Sequence, residues 1–318
     1  MKLHIEGNIN AYYVQTLCMI FFPGEKFSPE GVEDPHELYL TVTESEGGVT
    51  ATARIVCDGK TATAEKTLEP RADLTADRLK KIAIGHVVLN AAGEVLHYRP
   101  SWGMLTGVRP SKVATELLQL GNSKTRTKKA LASDYLVIPK KAALATDVAL
   151  YEQQIIGTPD FRDCSVYISI PFCPSRCSYC SFVSYTSKRL LSLIPDYLEL
   201  LKAEIKEKFR IIKELGLRVL TVYIGGGTPT ILTAAQLKEL LETIAQGTDV
   251  SALQEFTLES GRPDTIDAEK MAIAKAYGVT RVCVNPQTLS DEVLRGIGRS
   301  HTIDDFYRAY DIARNSGI

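Results

Sequence analysis

Four apolar segments of strand length, separated by helical segments, constrain the fold of this chain most strongly. The predicted strands are Val166–Ile170, Val219–Ile224, Glu255–Glu259 and Arg281–Asn285. The predicted helices between them are Leu191–Leu215, Ala234–Ala245 and Asp267–Tyr277. Near-continuous apolar strands that alternate with helices indicate a parallel sheet covered by helices. We therefore predict an α/β fold, a truncated TIM-like (β/α) barrel, over residues 161–318.

The first half of the chain has a different pattern. Its β-rich runs are Glu37–Thr43, Val49–Cys57 and Thr61–Thr67, and Asp58-Gly59 is a hairpin-turn signal between the last two. Helical spacing follows over residues 75–90, where His86 is predicted to be a core-edge residue, and over 140–156, where Gly157-Thr158-Pro159 ends the helix. We predict a small α+β domain over residues 1–160, with a meander sheet and helices.

Three cysteines follow the first strand of the predicted barrel. Cys173, Cys177 and Cys180 have the spacing C-x3-C-x2-C, which lets three thiolates face one metal centre. A structural zinc site normally has four ligands, and no second cysteine pair is nearby. An iron–sulfur cluster, which cysteine thiolates hold, fits three ligands better and leaves one iron open. The alternative is a chance enrichment of small, buried hydrophobic residues.

Unusual residues also follow the other three strands. Gly225, Gly226, Gly227 and Thr228 follow the second strand, Glu259 ends the third, and Gln287 follows the fourth. The carboxyl ends of parallel strands meet at one edge of the sheet, where such folds place their sites. Three glycines let the backbone approach a ligand closely, although a tight turn has the same signature. We predict a ligand-binding site at this edge.

These motifs resemble the radical S-adenosylmethionine (SAM) superfamily, whose signature is C-x3-C-x2-C with an aromatic residue before the last cysteine, here Tyr179. Within it they resemble the oxygen-independent coproporphyrinogen III oxidase (coproporphyrinogen dehydrogenase) group. The motifs that carry the resemblance are Tyr167–Cys173, Gly225–Thr230, Gln287 and Gly298–His301. The resemblance covers residue 167 to the C-terminus. Radical SAM barrels normally have more βα units than are visible here, which is why a truncated barrel is predicted.

The resemblance implies two cofactors and their contact residues. It implies a [4Fe-4S] cluster on the three cysteines and SAM bound at the open iron. The implied SAM contacts are Tyr167, Gly225, Gly226, Gly227, Thr228, Glu259, Gln287 and Arg299. His301 is a motif residue without an assigned role, and no catalytic residue is assigned.

The resemblance also implies a reaction. A low-potential donor such as flavodoxin or ferredoxin would reduce the cluster, and SAM would yield a 5'-deoxyadenosyl radical. In coproporphyrinogen oxidation this radical removes hydrogen from a propionate side chain, and two rounds give protoporphyrinogen IX in haem biosynthesis. Phe182 departs from this pattern, because well-defined members have a further cysteine there and the related haem-binding chaperones have an aromatic residue. A haem-binding or haem-transfer protein therefore stays open, as does a radical SAM enzyme, such as a methyltransferase, with another substrate.

A loop rich in glycine and proline, Arg99–Lys112, precedes the predicted barrel and contains the only tryptophan, Trp102. Arg99, Arg109 and Lys112 match the chemistry of a polycarboxylate, but a role in tying the loop to its neighbours is favoured. A similar segment occurs in one branch of the coproporphyrinogen oxidase-like proteins. The loop and the N-terminal domain therefore favour a separate coproporphyrinogen oxidase-like branch.

Composition limits location and partners. With 318 residues and a net charge of −1, the chain has no positive excess for binding nucleic acid. Its N-terminus lacks the apolar core of a signal peptide, and no run reaches the roughly 18 apolar residues of a membrane span. Seven cysteines, an odd number, fit a reducing compartment. We predict a cytoplasmic protein whose partners are a porphyrinogen or haem and a low-potential electron donor.

Overall fold

The computed structural model describes residues 1–28, 34–107, 109–157 and 160–318. It consists of two compact units, Met1–Thr158 (unit 1) and Pro159–Ile318 (unit 2). The domain boundary predicted after residue 160 stays a prediction. The predicted helix-ending residues Thr158 and Pro159 lie outside the described residues. No helix in the described ranges is both long enough and apolar enough to span a bilayer.

Unit 1 combines one sheet with helices. Its elements are β1 (Lys2–Glu6), α1 (Ala11–Phe21), β2 (His36–Ser45), β3 (Gly48–Cys57), β4 (Lys60–Leu68), α2 (Ala76–Leu96), α3 (Ser111–Gln119), α4 (Lys124–Ser133) and α5 (Pro139–Ile156). The sheet order is β1-β2-β3-β4, with β1 parallel to β2 and the other pairs antiparallel. The predicted meander is confirmed as β2–β4. Strand β1 was not predicted, because five residues give too short an alternating pattern and its partner lies far along the chain.

Local sequence explains the turn and the long helix of unit 1. Asp58 and Gly59 both have positive φ, 48° and 79°, as a two-residue hairpin turn requires. Helix α2 begins after Thr75, whose side chain accepts a hydrogen bond from the backbone N–H of Arg78. His86 on this helix is buried, with Nε2 3.0 Å from the carbonyl oxygen of Asp134. It is therefore buried at a position where the sequence predicts a core-edge residue.

Unit 2 alternates strands with helices. Its elements are β5 (Asp163–Ile170), α6 (Lys188–Leu191), α7 (Ile194–Glu214), β6 (Arg218–Gly226), α8 (Ala234–Gly247), β7 (Glu255–Glu259), α9 (Ala268–Ala276), β8 (Arg281–Cys283), α10 (Asp291–Gly296) and α11 (Ile303–Asn315). All strand pairs are parallel, and the order β5-β6-β7-β8 follows the chain. Sequential order is that of a barrel wall, whereas a doubly wound sheet reverses direction at a switch point. The predicted α/β class is confirmed.

Three details of unit 2 differ from the prediction. The single helix predicted over 191–215 is two helices, because Pro195 lies in the first turn of α7 and starts a new helix there. Strand β8 ends at Cys283, two residues before the predicted end, because it pairs with β7 only as far as Glu259. Helices α10 and α11 were not predicted.

Alternation along the strands of unit 2 gives the sheet two different faces. One face consists of apolar side chains that pack against the surrounding helices and form the core, among them Ile168, Ile170, Val222, Ile224, Phe256 and Leu258. The residues between them, including Tyr167, Tyr223 and Glu259, point to the opposite face. The candidate site residues of the strands therefore share the face that the helices do not cover.

Candidate functional site

Two tyrosines and one carboxylate share this open face. Tyr167 on β5 and Tyr223 on β6 are register partners, and their rings stack with centroids 5.6 Å apart and an interplanar angle of 10°. Burial raises the pKa of Tyr223 to about 12, and Glu259 adds to that shift. The two rings therefore form a neutral aromatic surface beside Glu259 at the end of β7.

Glu259 lies against the first glycine of the triplet. A Cβ atom added to Gly225 would lie 2.6 Å from Cε1 of Tyr223, 2.8 Å from Oε2 of Glu259 and 3.0 Å from the hydroxyl oxygen of Tyr167. Burial raises the pKa of Glu259, while hydrogen bonds from the Gly226 backbone and the Tyr223 hydroxyl act in the opposite direction. Gly225 is therefore packed closely against Tyr223, Glu259 and Tyr167, and a residue with a side chain would displace them.

The next two glycines bring the end of β6 against the cysteine loop. Gly226 has φ +105°, and a Cβ atom there would lie 2.7 Å from Oγ of Ser169. A Cβ atom on Gly227 would lie 2.5 Å from the carbonyl oxygen of Phe172 and 3.0 Å from Sγ of Cys173. The distances of 2.7 Å at Gly226 and 2.5 Å at Gly227 are shorter than those that real Cβ atoms show. Glycine is therefore required at these positions because the backbone packs closely against neighbouring residues. A tight turn alone would not require this close packing.

The three cysteines lie on one loop but differ in burial. Cys173 and Cys177 are buried and Cys180 is half-buried. Sγ of Cys173 lies 3.2 Å from Oγ1 of Thr228, which follows the glycine triplet. Burial raises the pKa of the Cys173 thiol, while Thr228 and Arg262 lower it. The structure thus brings the cysteine loop and the glycine segment together, as the shared sheet edge predicts.

The spacing of the three sulfurs fits a cluster better than a single ion. Among the described residues, the groups whose ligand atoms all lie within 4.8 Å of one another belong to unit 1 and do not include these cysteines. One ion needs its ligand atoms close together, whereas a cluster gives each thiolate an iron of its own and separates the sulfurs. The donor set and its spacing therefore fit an iron–sulfur cluster.

Arg262 is a site residue that the sequence analysis missed. It follows β7, is only 3% exposed, and its Nη1 donates a hydrogen bond to Oγ of Ser175 at 2.9 Å. Its Nη2 donates to the carbonyl oxygen of Ser175 and lies 3.4 Å from Sγ of Cys177. A buried cation needs compensating negative charge, which thiolates or an anionic cluster supply. Its position at the end of a parallel strand was the available sequence signal.

The segment that follows α10 holds the other side of the cysteine loop. The backbone N–H of Ser178 donates to the carbonyl oxygen of Ile297 at 3.1 Å, and Oγ of Ser175 donates to that of Gly298 at 2.8 Å. Arg299 donates from Nη1 to the carbonyl oxygen of Gly261 at 2.9 Å, and its Nη2 lies 3.4 Å from the hydroxyl oxygen of Tyr179. Arg299 therefore lies beside the cysteine loop, and its contact with SAM stays a prediction.

Two further motif residues have unusual environments. Gln287 is exposed and has φ +64°, a conformation that L side chains rarely adopt. His301 is 2% exposed, and burial lowers its pKa, so the ring is neutral. Neither ring nitrogen of His301 nor Nε of Arg299 has a hydrogen-bond partner in the described part of the chain. Buried polar atoms without partners are rare in native proteins and fit a site that binds a polar ligand.

Comparison with known proteins assigns this unit. Residues 167–318 match the family model described as the Radical SAM superfamily. Unit 2 belongs to the radical SAM superfamily. Membership implies SAM and a [4Fe-4S] cluster, and the thiolates, the buried arginine and the unpaired polar atoms of the radical SAM unit fit both groups.

Two kinds of relative are similar to this chain. Over 315 residues the chain is 33% identical to the oxygen-independent coproporphyrinogen-III oxidase-like protein HemZ of Bacillus subtilis (strain 168), covering 96% of this chain and 62% of HemZ. Over 155 residues it is 38% identical to the heme chaperone HemW of the same organism, covering 48% of this chain and 40% of HemW. The chain thus spans less than two thirds of either relative.

A solved structure is also similar to part of the chain. It is the coproporphyrinogen III oxidase (HemN) from Escherichia coli, described as a radical SAM enzyme. The two share 26% sequence identity with a TM-score of 0.44, over 54% of this chain and 38% of the other.

Proposed function

We propose that this chain is the radical SAM part of an oxidoreductase that converts coproporphyrinogen III to protoporphyrinogen IX without oxygen, by oxidative decarboxylation of propionate groups. The observation that carries the proposal is the extent of the match to HemZ, which covers 96% of the chain and so includes unit 1. The match to HemW covers only 48% of the chain. A relationship that includes unit 1 favours the oxidase-like group.

Cys173, Cys177 and Cys180 hold the cluster in this proposal, one thiolate to each of three irons. Arg262 compensates the negative charge next to Cys177 and fixes the loop through Ser175. Thr228 donates a hydrogen bond to the Cys173 sulfur once that thiol has lost its proton. Hydrogen bonds and positive charge near the sulfurs raise the potential of a cluster.

SAM lies along the glycine triplet in this proposal. Glu259 contacts the amino group of SAM, since its carboxylate lies next to Gly225 at the carboxyl end of β7. Arg299 and Gln287 bind the carboxylate and polar groups of SAM, and Tyr167 is a further contact in this proposal. When bound, the reduced cluster and SAM supply a one-electron route to hydrogen abstraction from an unactivated carbon. The residues of the chain orient the two groups and exclude water from them.

The required electrons come from a low-potential donor such as flavodoxin or ferredoxin, and the proposed location is the cytoplasm, where thiols stay reduced. The test is anaerobic incubation of the cluster-reconstituted chain with SAM, a low-potential reductant and coproporphyrinogen III. We expect mono- and di-decarboxylated products together with 5'-deoxyadenosine by mass spectrometry. 5'-Deoxyadenosine without a decarboxylated product would contradict the assigned substrate but support radical SAM chemistry.

A haem-binding protein is the second candidate. Phe182, two residues after the last cysteine, is 64% exposed and supplies no thiol beside the site. The identity to HemW, 38% over 155 residues against 33% over 315 residues to HemZ, points in the same direction. A stable complex with haem, seen as a shifted Soret absorption band after gel filtration, combined with no decarboxylation in the assay above, would favour this candidate over the oxidase.

A further inference from the structure

Unit 1 contains a large cavity that the radical SAM site does not use. Its volume is about 890 Å³, and its walls come from α1, α2, the residues from Tyr98 to Thr106 and the beginning of α5. This is within the range of about 300–1,000 Å³ that small-molecule sites have. Every residue that lines the cavity belongs to unit 1 and is described, so the cavity does not depend on unit 2.

The Arg99–Lys112 loop forms one wall of this cavity. The backbone N–H of Met104 donates to the carbonyl oxygen of Tyr135 at 3.0 Å, and that of Ile138 donates to the carbonyl oxygen of Ser101 at 3.2 Å. Gly103 has φ +55°, and a Cβ atom there would lie 2.0 Å from the carbonyl oxygen of Tyr135. Residues 101–104 of the loop are therefore fixed in place, and the wall they form exists before any ligand binds.

The lining combines aromatic rings with positive charge. The aromatic and cationic residues are Tyr12, Tyr13, Tyr98, Trp102, Lys81 and Lys141. No carboxylate is among the lining residues. Tyr12 and Tyr98 are 71% and 52% exposed, so their rings are accessible to a ligand.

The two lysines differ in their availability. Lys81 forms an ion pair with Asp77 at 2.7 Å, which neutralises much of its charge. Lys141 holds Nζ 5.1 Å from the centroid of the Trp102 ring, and none of the ion pairs between described residues includes it. Arg99 lines a smaller adjacent cavity of about 300 Å³ that shares Tyr98 with the large one. Lys141 is therefore the lining cation that is available to bind an anion beside the aromatic rings.

We propose that this cavity binds a planar aromatic carboxylate of tetrapyrrole size. Aromatic rings stack on the flat faces of such a ligand, and Lys141 binds one of its carboxylates while keeping its position over Trp102. The lining carries the ligand class, whereas the choice of a tetrapyrrole rests on the haem-binding candidate for the proposed function, because a porphyrinogen macrocycle is neither planar nor aromatic. The cavity is thus a second binding site of the chain, in addition to the cysteine loop.

The single tryptophan of the chain reports directly on this site. Trp102 is the only tryptophan, so its fluorescence comes from the cavity wall alone. The probe is coproporphyrin III, which is stable to oxygen and has four carboxylates. We expect saturable quenching of Trp102 fluorescence on titration of the intact chain. Quenching that rises linearly without saturation would overturn the proposal.

A matched pair of lysine variants locates the bound probe. Lys141→Glu reverses the charge inside the cavity, and we expect it to weaken binding at least tenfold. Lys140→Glu makes the same charge change on the adjacent exposed residue, which does not line the cavity, and should leave the affinity unchanged. Equal affinities of the two variants would place the probe elsewhere and overturn the proposal, provided that circular dichroism shows both to be folded.

A third variant separates this site from the radical SAM site. Cys177→Ala removes a cluster ligand in unit 2 and should leave quenching by coproporphyrin III unchanged. Loss of quenching in Cys177→Ala would overturn the cavity as the binding site. Retained quenching in a chain that shows no decarboxylation activity would support the cavity and contradict only the proposed reaction.

Discussion

The guanidinium of Arg262 lies 3.4 Å from Sγ of Cys177 and also binds Ser175 on the same loop. This buried cation at the end of β7 therefore fixes the loop and places positive charge next to a candidate cluster ligand. Charge-assisted hydrogen bonds of this kind contribute about 1.5–3 kcal/mol each.

Arg262→Gln tests both effects. We expect lower iron content after anaerobic reconstitution and, in the cluster that forms, a more negative midpoint potential, since a positive charge near a cluster favours its reduced state. Iron analysis and a redox titration followed by electron paramagnetic resonance measure these. Arg262→Lys should retain more of the potential than Arg262→Gln. Arg281→Gln is the control, because Arg281 is an exposed arginine that pairs with Glu255. It should leave the iron content and the midpoint potential unchanged.

Cys177→Ala and Cys283→Ala form a second matched pair. Both residues are in unit 2, but Cys283 lies on β8 and not on the cysteine loop. We expect Cys177→Ala to lose the cluster and Cys283→Ala to keep it, because only the first removes a ligand. Iron and sulfide content per chain measures this. Equal iron content in the two variants would contradict the assigned ligand set.

Gly227→Ala tests the close packing of the glycine segment. The new methyl group would lie 2.5 Å from the carbonyl oxygen of Phe172, so the cysteine loop must move. Overpacking of this kind costs about 1–3 kcal/mol of unfolding free energy, measured by urea denaturation, and iron retention should fall as well. Gly296→Ala adds a methyl group into open space at the end of α10. It should change the unfolding free energy by no more than about 1 kcal/mol and leave iron retention unchanged.

Glu259→Gln tests the proposed SAM contact. Loss of a charge-assisted hydrogen bond to the amino group should weaken SAM binding about tenfold to a hundredfold in calorimetry of the reconstituted chain. Because burial raises the pKa of Glu259, SAM affinity should also fall as the pH is lowered through that raised pKa, where the carboxylate takes up a proton. Glu255→Gln at the other end of β7 is the control. Unchanged affinity in Glu259→Gln would exclude this contact.

His86 predicts a pH dependence of stability in unit 1. Burial lowers its pKa in the folded chain, so the unfolded chain binds more protons as the pH falls below about 6.5. Stability should therefore fall below that pH, by up to ~1.4 kcal/mol for each unit by which the folded-state pKa is lowered. His86→Gln should flatten this dependence between about pH 7 and pH 5 in thermal unfolding. The same slope in both proteins would contradict the assignment to His86.

The sequence by itself determined the four strands of unit 2 and the edge at which the chemistry collects. Strands such as Glu255–Glu259 can be predicted from the sequence because a short apolar run indicates a buried strand. The cysteine spacing and the glycine triplet are likewise patterns of neighbouring residues. The shared edge of Cys173 and Thr228 then follows from a rule of parallel sheets.

Only the tertiary structure decided the features that depend on residues distant in sequence. Three such features are the pairing of β1 with β2, the contact of Arg262 with Cys177 and the position of Lys141 over Trp102. In each, the sequence of one segment does not indicate which other segment it will contact. Periodicity reports how a segment is buried, whereas the partner of a buried charge or ring is set by packing of the whole unit. The ligand class of the unit 1 cavity therefore became visible only when the side chains that line it were brought together.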